Sequence, residues 1–179
     1  GGALPSVTAR LQVYLQTRVE HEETGTHHVM EGAKCVEQYP VPCPVGANFI
    51  VRNLFYNVPA RRRFLKSNTT ELNNIMQEFE RVVLINSDTD FKFYKDDSLC
   101  VDVKGGSFKQ RILALFGKAY DKQLLPISVD TSIVRIDGFV GTPQSAKTRG
   151  VKQFLFVNGR YMRHPYFSKA IVAAFDRLI

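Results

Sequence analysis

The sequence predicts an α/β fold in which strands and helices alternate along the chain, and two patterns predict it. Apolar residues alternate with other residues at Leu11, Val13 and Leu15, as in a strand with one buried face. Apolar residues then recur at helical spacing over 72–83, as on the buried side of an amphipathic helix. With 179 residues, 44% of them hydrophobic, the chain can bury a core of ordinary size.

Strand patterns dominate the first part of the chain. They cover 7–18 and 49–54, and residues 25–35 have room for further strands. The segment 39–46 contains three prolines, which lack the backbone N–H that a central strand needs. We therefore expect an extended connection there.

A long helix and a hairpin follow. Asn68 or Thr69 is a suitable N-cap for the helix, which the apolar spacing carries to about Asn86. Residues 91–94 and 99–103 are strand-like and flank a polar turn, which predicts a β-hairpin.

The next helix is predicted over 108–116. Ser107 and Gln110 have the spacing of a capping box, in which each side chain accepts a backbone N–H of the other residue. Gly117 suits the position after the helix end, where glycine tolerates the required backbone conformation.

The last part of the chain is predicted to form strands over 133–140 and 153–157, joined by a basic loop over 145–150.

A final helix is predicted to begin at Pro165, a residue favoured in the first helical turn. His164, just before it, is expected to act as a cap and not as a general base. The helical pattern still continues at the last residue, and this predicts that the chain is a fragment.

Charge is unevenly distributed along the chain. Residues 1–103 hold 11 basic and 13 acidic side chains, a net charge of −2, whereas residues 104–179 hold 13 basic and 4 acidic ones, a net charge of +9. Such asymmetry indicates either a polyanionic partner, with nucleic acid as the leading candidate, or a solvated basic surface. The charge change coincides with a Gly-Gly pair, so we predict two domains, 1–104 and 105–179.

Several protein classes are disfavoured by composition. No run approaches 18 apolar residues and the first residues do not resemble a signal peptide, so a cytoplasmic protein is expected. Cys35, Cys43 and Cys100 are odd in number and lack Cys-x-x-Cys spacing, which favours reduced thiols over disulfides or a zinc site.

One short segment, 54–66, concentrates basic residues behind a proline. Pro59 predicts a turn into a helix, with four cations at the helix entrance: Arg61, Arg62, Arg63 and Lys66. A helix N-terminus is already electropositive, so a compensating anion is expected nearby. The anion is either phosphate or a carboxylate of this chain, with Glu71, Glu78 and Glu80 as candidates.

Segment 54–65 resembles the Leu-Phe-Tyr-Asn-x-Pro-Ala-Arg-Arg-Lys-Phe-Leu motif of the MutL family of DNA mismatch repair ATPases. The opening Gly-Gly-Ala-Leu is similar to the end of that family's Gly-Phe-Arg-Gly-Glu-Ala-Leu motif, and Phe-Val-Asn-Gly-Arg at 156–160 is a third match in the same order. The resemblance thus covers nearly the whole chain.

The resemblance implies a fold and a cofactor. The fold would be the later part of an α+β sandwich, a Bergerat-type ATPase domain shared with gyrase, Hsp90 and histidine kinases, followed by part of a ribosomal-protein-like β-α transducer domain. The intact protein would use ATP and magnesium. The matching nucleotide-site positions are Gly1, Ala3, Leu4, Gly46 and Ala47.

This chain departs from the family's nucleotide-site motifs. Gly2 stands where the family has glutamate, and Ala47 lacks the usual threonine hydroxyl, which removes a hydrogen bond of about 1 kcal/mol. The family's catalytic glutamate, its magnesium asparagine and its Asp-x-Gly-x-Gly motif are absent from these 179 residues. We therefore expect the chain alone to bind nucleotide poorly and not to hydrolyse ATP.

Resemblance and charge together imply DNA contacts, because arginine's planar fork suits phosphate oxygens and lysine supplies a point charge. The candidates are Arg61, Arg62, Arg63, Lys66, Lys147, Arg149, Lys152, Arg160 and Arg163. Asn158 and Gly159 are expected to form only the turn that presents Arg160.

The implied function is that of an ATP-gated dimeric linker between mismatch recognition and strand removal. Its implied partners are DNA, a MutS-type recognition protein and a second copy of the intact chain, without a membrane. Two alternatives stay open: another ATPase of the same class, such as a type II topoisomerase subunit, and a passive nucleic-acid-binding module.

Overall fold

The computed structural model describes residues 11–32, 34–146 and 151–176. The chain divides into two compact units, the first ending at Glu71 and the second beginning at Leu72. This division reflects local packing, and the domain boundary predicted at 104/105 stays a prediction. Within the described ranges, no helix combines the length and apolar character needed to cross a membrane.

The first unit contains a four-stranded antiparallel sheet in the order β3-β2-β1-β4. Its strands are β1 (Gln12–Arg18), β2 (Gly25–Glu31), β3 (Lys34–Val41) and β4 (Gly46–Arg52). Leu11, Val13 and Val29 are buried, because the alternating pattern places apolar side chains on the packed surface of the sheet.

Two sequence expectations in this unit need correction. Residues 39–41 are not part of a connection but complete β3, where Pro40 pairs with Thr26. The proline is tolerated because β3 is an edge strand. Residues 53–54 are not in β4, since Asn53 and Phe55 adopt positive φ angles of 52° and 61° that turn the chain.

The basic segment forms a short helix α1 (Pro59–Arg63), followed by the long helix α2 (Asn68–Ile85). The three arginines were predicted to lie at the entrance of a helix, and this is wrong. They occupy the last turn of α1, where the Phe64 N–H donates to the Arg61 carbonyl. Cations at a helix C-terminus interact favourably with the helix dipole. The dipole therefore does not require an anion near these arginines.

The second unit begins within α2 and contains three antiparallel hairpins and two further helices. The hairpins are β5 (Phe91–Lys95) with β6 (Ser98–Val103), β7 (Leu124–Asp130) with β8 (Arg135–Gly141), and β9 (Leu155–Val157) with β10 (Arg160–Met162). The helices are α3 (Phe108–Phe116) and α4 (Pro165–Phe175).

The core of the second unit lies between α2 and the β5–β6 hairpin. Val83, Leu84 and Val103 are at most 3% exposed. Phe79 of α2 contacts the rings of Phe91 and Phe93, with ring centroids 6.2 and 5.1 Å apart. The predicted helix and hairpin are confirmed, and the apolar spacing along α2 explains which of its side chains face the strands.

The cap predicted for α2 at Asn68 or Thr69 is wrong, because Asn68 is already the first helical residue and Ser67 Oγ accepts the Thr70 N–H.

The predicted caps at the two later helices are confirmed. Ser107 and Gln110 form the capping box at α3, with the Gln110 N–H donating to Ser107 Oγ and the Ser107 N–H donating to Gln110 Oε1. At α4 the Tyr166 N–H donates to Nδ1 of His164 over 3.2 Å. Each of these pairs satisfies helix-terminal N–H groups that have no partner within the helix.

One arginine is buried in this unit, and its position was not predicted. Arg111 of α3 is 1% exposed. Its guanidinium donates to backbone carbonyls at the end of α2, in the following loop and after β6: those of Val83, Ser87, Thr89 and Lys104. The guanidinium therefore joins three segments that are far apart in sequence.

Asp90 lies beside this network and gives a pH-dependent prediction. The Gly105 N–H, at 2.7 Å, and then the Lys104 ammonium, at 2.9 Å, lower the pKa of the Asp90 carboxyl below 3.8. A lowered folded-state pKa stabilises the fold above the unfolded pKa, and this stabilisation is lost as pH falls through the folded value. Asp90→Asn should therefore lower the free energy of unfolding by its full amount at neutral pH, and the difference from wild type should shrink below pH 3.8.

The measurement is urea unfolding of wild type and Asp90→Asn across an acid pH series, with Asp97→Asn in the exposed β5–β6 turn as control. A stability difference between wild type and Asp90→Asn that stays constant to the lowest pH would show that the carboxylate charge does not matter.

Candidate nucleic-acid interface

The nucleotide-motif residues that the structure describes lie at an open strand end. Gly46 and Ala47 begin β4 and are exposed, and Gly46 has φ of 125° with no atom within 4 Å of where a Cβ would stand. The predicted positions Gly1, Ala3 and Leu4 lie outside the described residues. Among the residues that are described, no three His, Cys, Asp or Glu side chains form a group able to hold a metal ion.

The first-unit basic cluster consists of Arg61, Arg62, Arg63 and Lys66. All four side chains are exposed, and the described part of the first unit contains no ion pair to any of them. Glu71, one of the carboxylates considered as a partner, accepts the backbone N–H of Lys66 at 2.9 Å. The side-chain charges are thus open to solvent.

Both other candidate carboxylates have partners within the second unit. Glu78 pairs with Arg81 one helical turn away, and Glu80 pairs with Lys152.

The β9–β10 hairpin presents the second group of cations. Asn158 and Gly159 have φ angles of 49° and 76°, as in a type I′ turn, where an Asn-Gly pair is favoured. This turn places Arg160 at the start of β10, and Arg163 follows directly after the strand end. Both arginines are exposed, and no carboxylate of the described chain lies within ion-pair distance of them.

Lys152 differs from those two arginines because its charge is already neutralised by an ion pair. Its ammonium lies 2.8 and 3.0 Å from the two oxygens of Glu80 and 4.3 Å from the centre of the Phe116 ring. Lys147 and Arg149, predicted in the same basic loop, lie outside the described residues.

One contact at this hairpin could not be predicted from sequence. The Arg81 guanidinium lies over the Tyr161 ring, 4.1 Å from its centre, in a cation–π geometry. The two residues are 80 positions apart in the sequence, and no local pattern connects them.

The fold is similar to that of solved domains from DNA repair proteins. The structure superposes on the Aquifex aeolicus MutL ATPase domain complexed with ADP with a TM-score of 0.79, 23% identity and coverage of 96% of this chain and 66% of that one. It also superposes on the N-terminal domain of a DNA repair protein with a TM-score of 0.81, 16% identity and coverage of 99% and 59%. The predicted fold class, which mixes helices and strands, is confirmed, and the structure adds that the strand pairings are antiparallel.

Sequence comparison defines the family. The model described as "DNA mismatch repair protein, C-terminal domain" matches residues 112–179. The MutL proteins of Phocaeicola vulgatus and Flavobacterium johnsoniae are 50% and 40% identical over all 179 residues. The chain belongs to the MutL family of DNA mismatch repair proteins. It spans 29% and 28% of the length of these two relatives.

Proposed function

We propose that this chain supplies a DNA-contacting surface of a MutL-type mismatch repair protein. The observation that carries the proposal is the exposed pair Arg160 and Arg163, held at a tight hairpin turn without a carboxylate partner among the described residues. Arginine forks of this kind are suited to phosphate oxygens.

Several basic side chains of the second unit are already neutralised by nearby carboxylates. Lys92, Lys104, Lys109, Arg135 and Lys152 each lie within 4.0 Å of a carboxylate. The two hairpin arginines do not, so their full charge faces solvent and can displace counterions from a DNA backbone. The second unit, residues 72–179, holds 16 basic and 11 acidic side chains, and this net charge of +5 attracts DNA toward it.

The first-unit basic cluster is a second DNA contact in this proposal. Its four cations are exposed and sit on a short helix and the connection after it, and such contacts fix the position of a protein on DNA without reading its sequence.

The remaining parts of the proposal concern the longer protein. By its family, that protein would act in the cytoplasm as an ATP-gated dimer, with magnesium, between a MutS-type recognition protein and strand removal.

The proposal predicts a local effect of Arg160→Gln on DNA binding. The variant should bind a duplex about fivefold more weakly, because it loses a phosphate contact worth about 1 kcal/mol. The measurement is fluorescence anisotropy of a labelled duplex titrated with the 179-residue chain at one fixed salt concentration.

The matched control is Lys95→Gln. Lys95 is exposed at the end of β5 without an ion pair in the described chain, so its loss changes net charge by the same amount at a different place. Equal weakening by the two variants would show that only net charge matters and would contradict a site at the hairpin.

A further inference from the structure

Two consecutive residues of α2, Glu80 and Arg81, contact the segment that carries the hairpin arginines. Glu80 holds the Lys152 ammonium with both carboxylate oxygens, three residues before β9 begins. Arg81 lies over the ring of Tyr161, the central residue of β10. The helix thus contacts the hairpin both before its first strand and on its second strand.

The hairpin depends on such outside contacts for its orientation. Each strand has only three residues, and β9 and β10 form a separate two-stranded sheet. A hairpin of this size is marginal at best when isolated in water. Packing against a helix can fix both its conformation and its direction, and Glu80 and Arg81 provide polar contacts of that kind.

The burial of these groups supports a positioning role. The Glu80 side chain is 19% exposed and the Arg81 side chain 22% exposed, so each is largely covered. Arg81 is further held by its ion pair with Glu78. Lys152 is fixed between the Glu80 carboxylate and the Phe116 ring.

We propose that Glu80 and Arg81 are positioning residues that orient the β9–β10 hairpin so that Arg160 meets a DNA phosphate, and that Lys152 anchors the hairpin and does not itself contact DNA. This inference rests on the proposed function. It predicts that an acidic residue, Glu80, strengthens the binding of a polyanion.

The first test is Glu80→Gln in the 179-residue chain. The substitution makes the chain more positive by one charge, yet it should weaken duplex binding about threefold, because the anchor of Lys152 is lost. Asp96→Asn, in the exposed β5–β6 turn, makes the same charge change and should leave affinity unchanged or slightly higher. If Glu80→Gln binds as well as wild type or better, the positioning role of Glu80 is wrong and Lys152 is released to bind phosphate.

The second test changes no charge. Tyr161→Leu removes the ring under Arg81 and should weaken binding about threefold, the size expected from a cation–π contact near the surface. Tyr161→Phe keeps the ring and should bind like wild type. Thermal unfolding of each variant identifies any that fails to fold, and the Tyr161 pair decides the question if Glu80→Gln does not fold.

A double-mutant cycle tests whether the hairpin contact acts through Arg160. In an Arg160→Gln background, Tyr161→Leu should cause little further loss, because the phosphate contact it positions is already absent. An equal loss in both backgrounds would overturn the inference. No effect of Arg160→Gln alone would instead overturn the proposed function, so the two failures are distinguishable.

Discussion

Arg111→Met is expected to destabilise the chain by about 3 kcal/mol, which lowers the melting temperature by about 10 °C. Its guanidinium donates to four backbone carbonyls and lies 5.4 Å from the centre of the Phe91 ring. Methionine fills much of the same volume but donates no hydrogen bond. The carbonyls would remain in the protein without these donors, and a buried unsatisfied polar group costs more than the lost bond itself.

The character of the partners explains why the loss should be large. A buried ion pair between two side chains can be replaced by apolar residues at little cost when both partners are replaced. Here the partners of Arg111 are backbone carbonyls, which no substitution removes.

The measurement is urea unfolding followed by circular dichroism, with Arg135→Met as the matched control. Arg135 forms an ion pair with Asp137, but its side chain is 71% exposed, so its replacement should cost well under 1 kcal/mol. If Arg111→Met and Arg135→Met have the same stability, the carbonyl network is not a major source of stability.

The second large effect is expected at Gly105. A Cβ placed there would lie 2.2 Å from the carbonyl oxygen of Asp88 and 2.8 Å from its carbon. Both atoms are backbone, so the chain must move, and movement strains the 2.7 Å hydrogen bond from the Gly105 N–H to Asp90. We expect Gly105→Ala to destabilise the chain by about 2 to 3 kcal/mol.

The neighbouring glycine provides the control for this prediction. A Cβ at Gly106 would meet only the side chain of Gln110, at 2.7 Å from Oε1, and this side chain can move at the cost of its hydrogen bond from the Ser107 N–H. Gly106→Ala should therefore cost about 1 kcal/mol or less. Chemical denaturation of both variants measures the contrast, and a cost for Gly106→Ala equal to that for Gly105→Ala would contradict the steric argument.

The features that the sequence predicts well depend on local signals. The extent of α2, the β5–β6 hairpin, the capping box at Ser107 and the cap at His164 each follow from residues within one or two helical turns of each other. Such signals persist in the fold because the groups that interact are close in sequence.

Some elements were missed or misplaced. Strand β7 was missed although Leu125, Ile127 and Val129 alternate along it, because Pro126 within the run argues against a central strand. The arginines of α1 were placed at the wrong end of their helix, because the sequence does not reveal that α1 ends after only five residues.

The candidate site was only partly predictable for a related reason. The sequence identified the basic residues and the Asn-Gly turn that precedes Arg160, but not which charges are neutralised. Lys152 pairs with Glu80, which is 72 positions away in the sequence. Arg111 is buried and donates to carbonyls from three separate segments. A count of charges treats these residues and Arg160 alike, whereas their environments give them different roles.

The central claim is that the hairpin arginines contact DNA phosphates, and the salt dependence of duplex binding tests it most directly. Each phosphate contact contributes about 0.9 to the slope of log affinity against log salt concentration. We expect Arg160→Gln to reduce this slope by about 0.9, the contribution of one phosphate contact. Lys95→Gln should keep the wild-type slope. Identical slopes for wild type, Arg160→Gln and Lys95→Gln would contradict the claim.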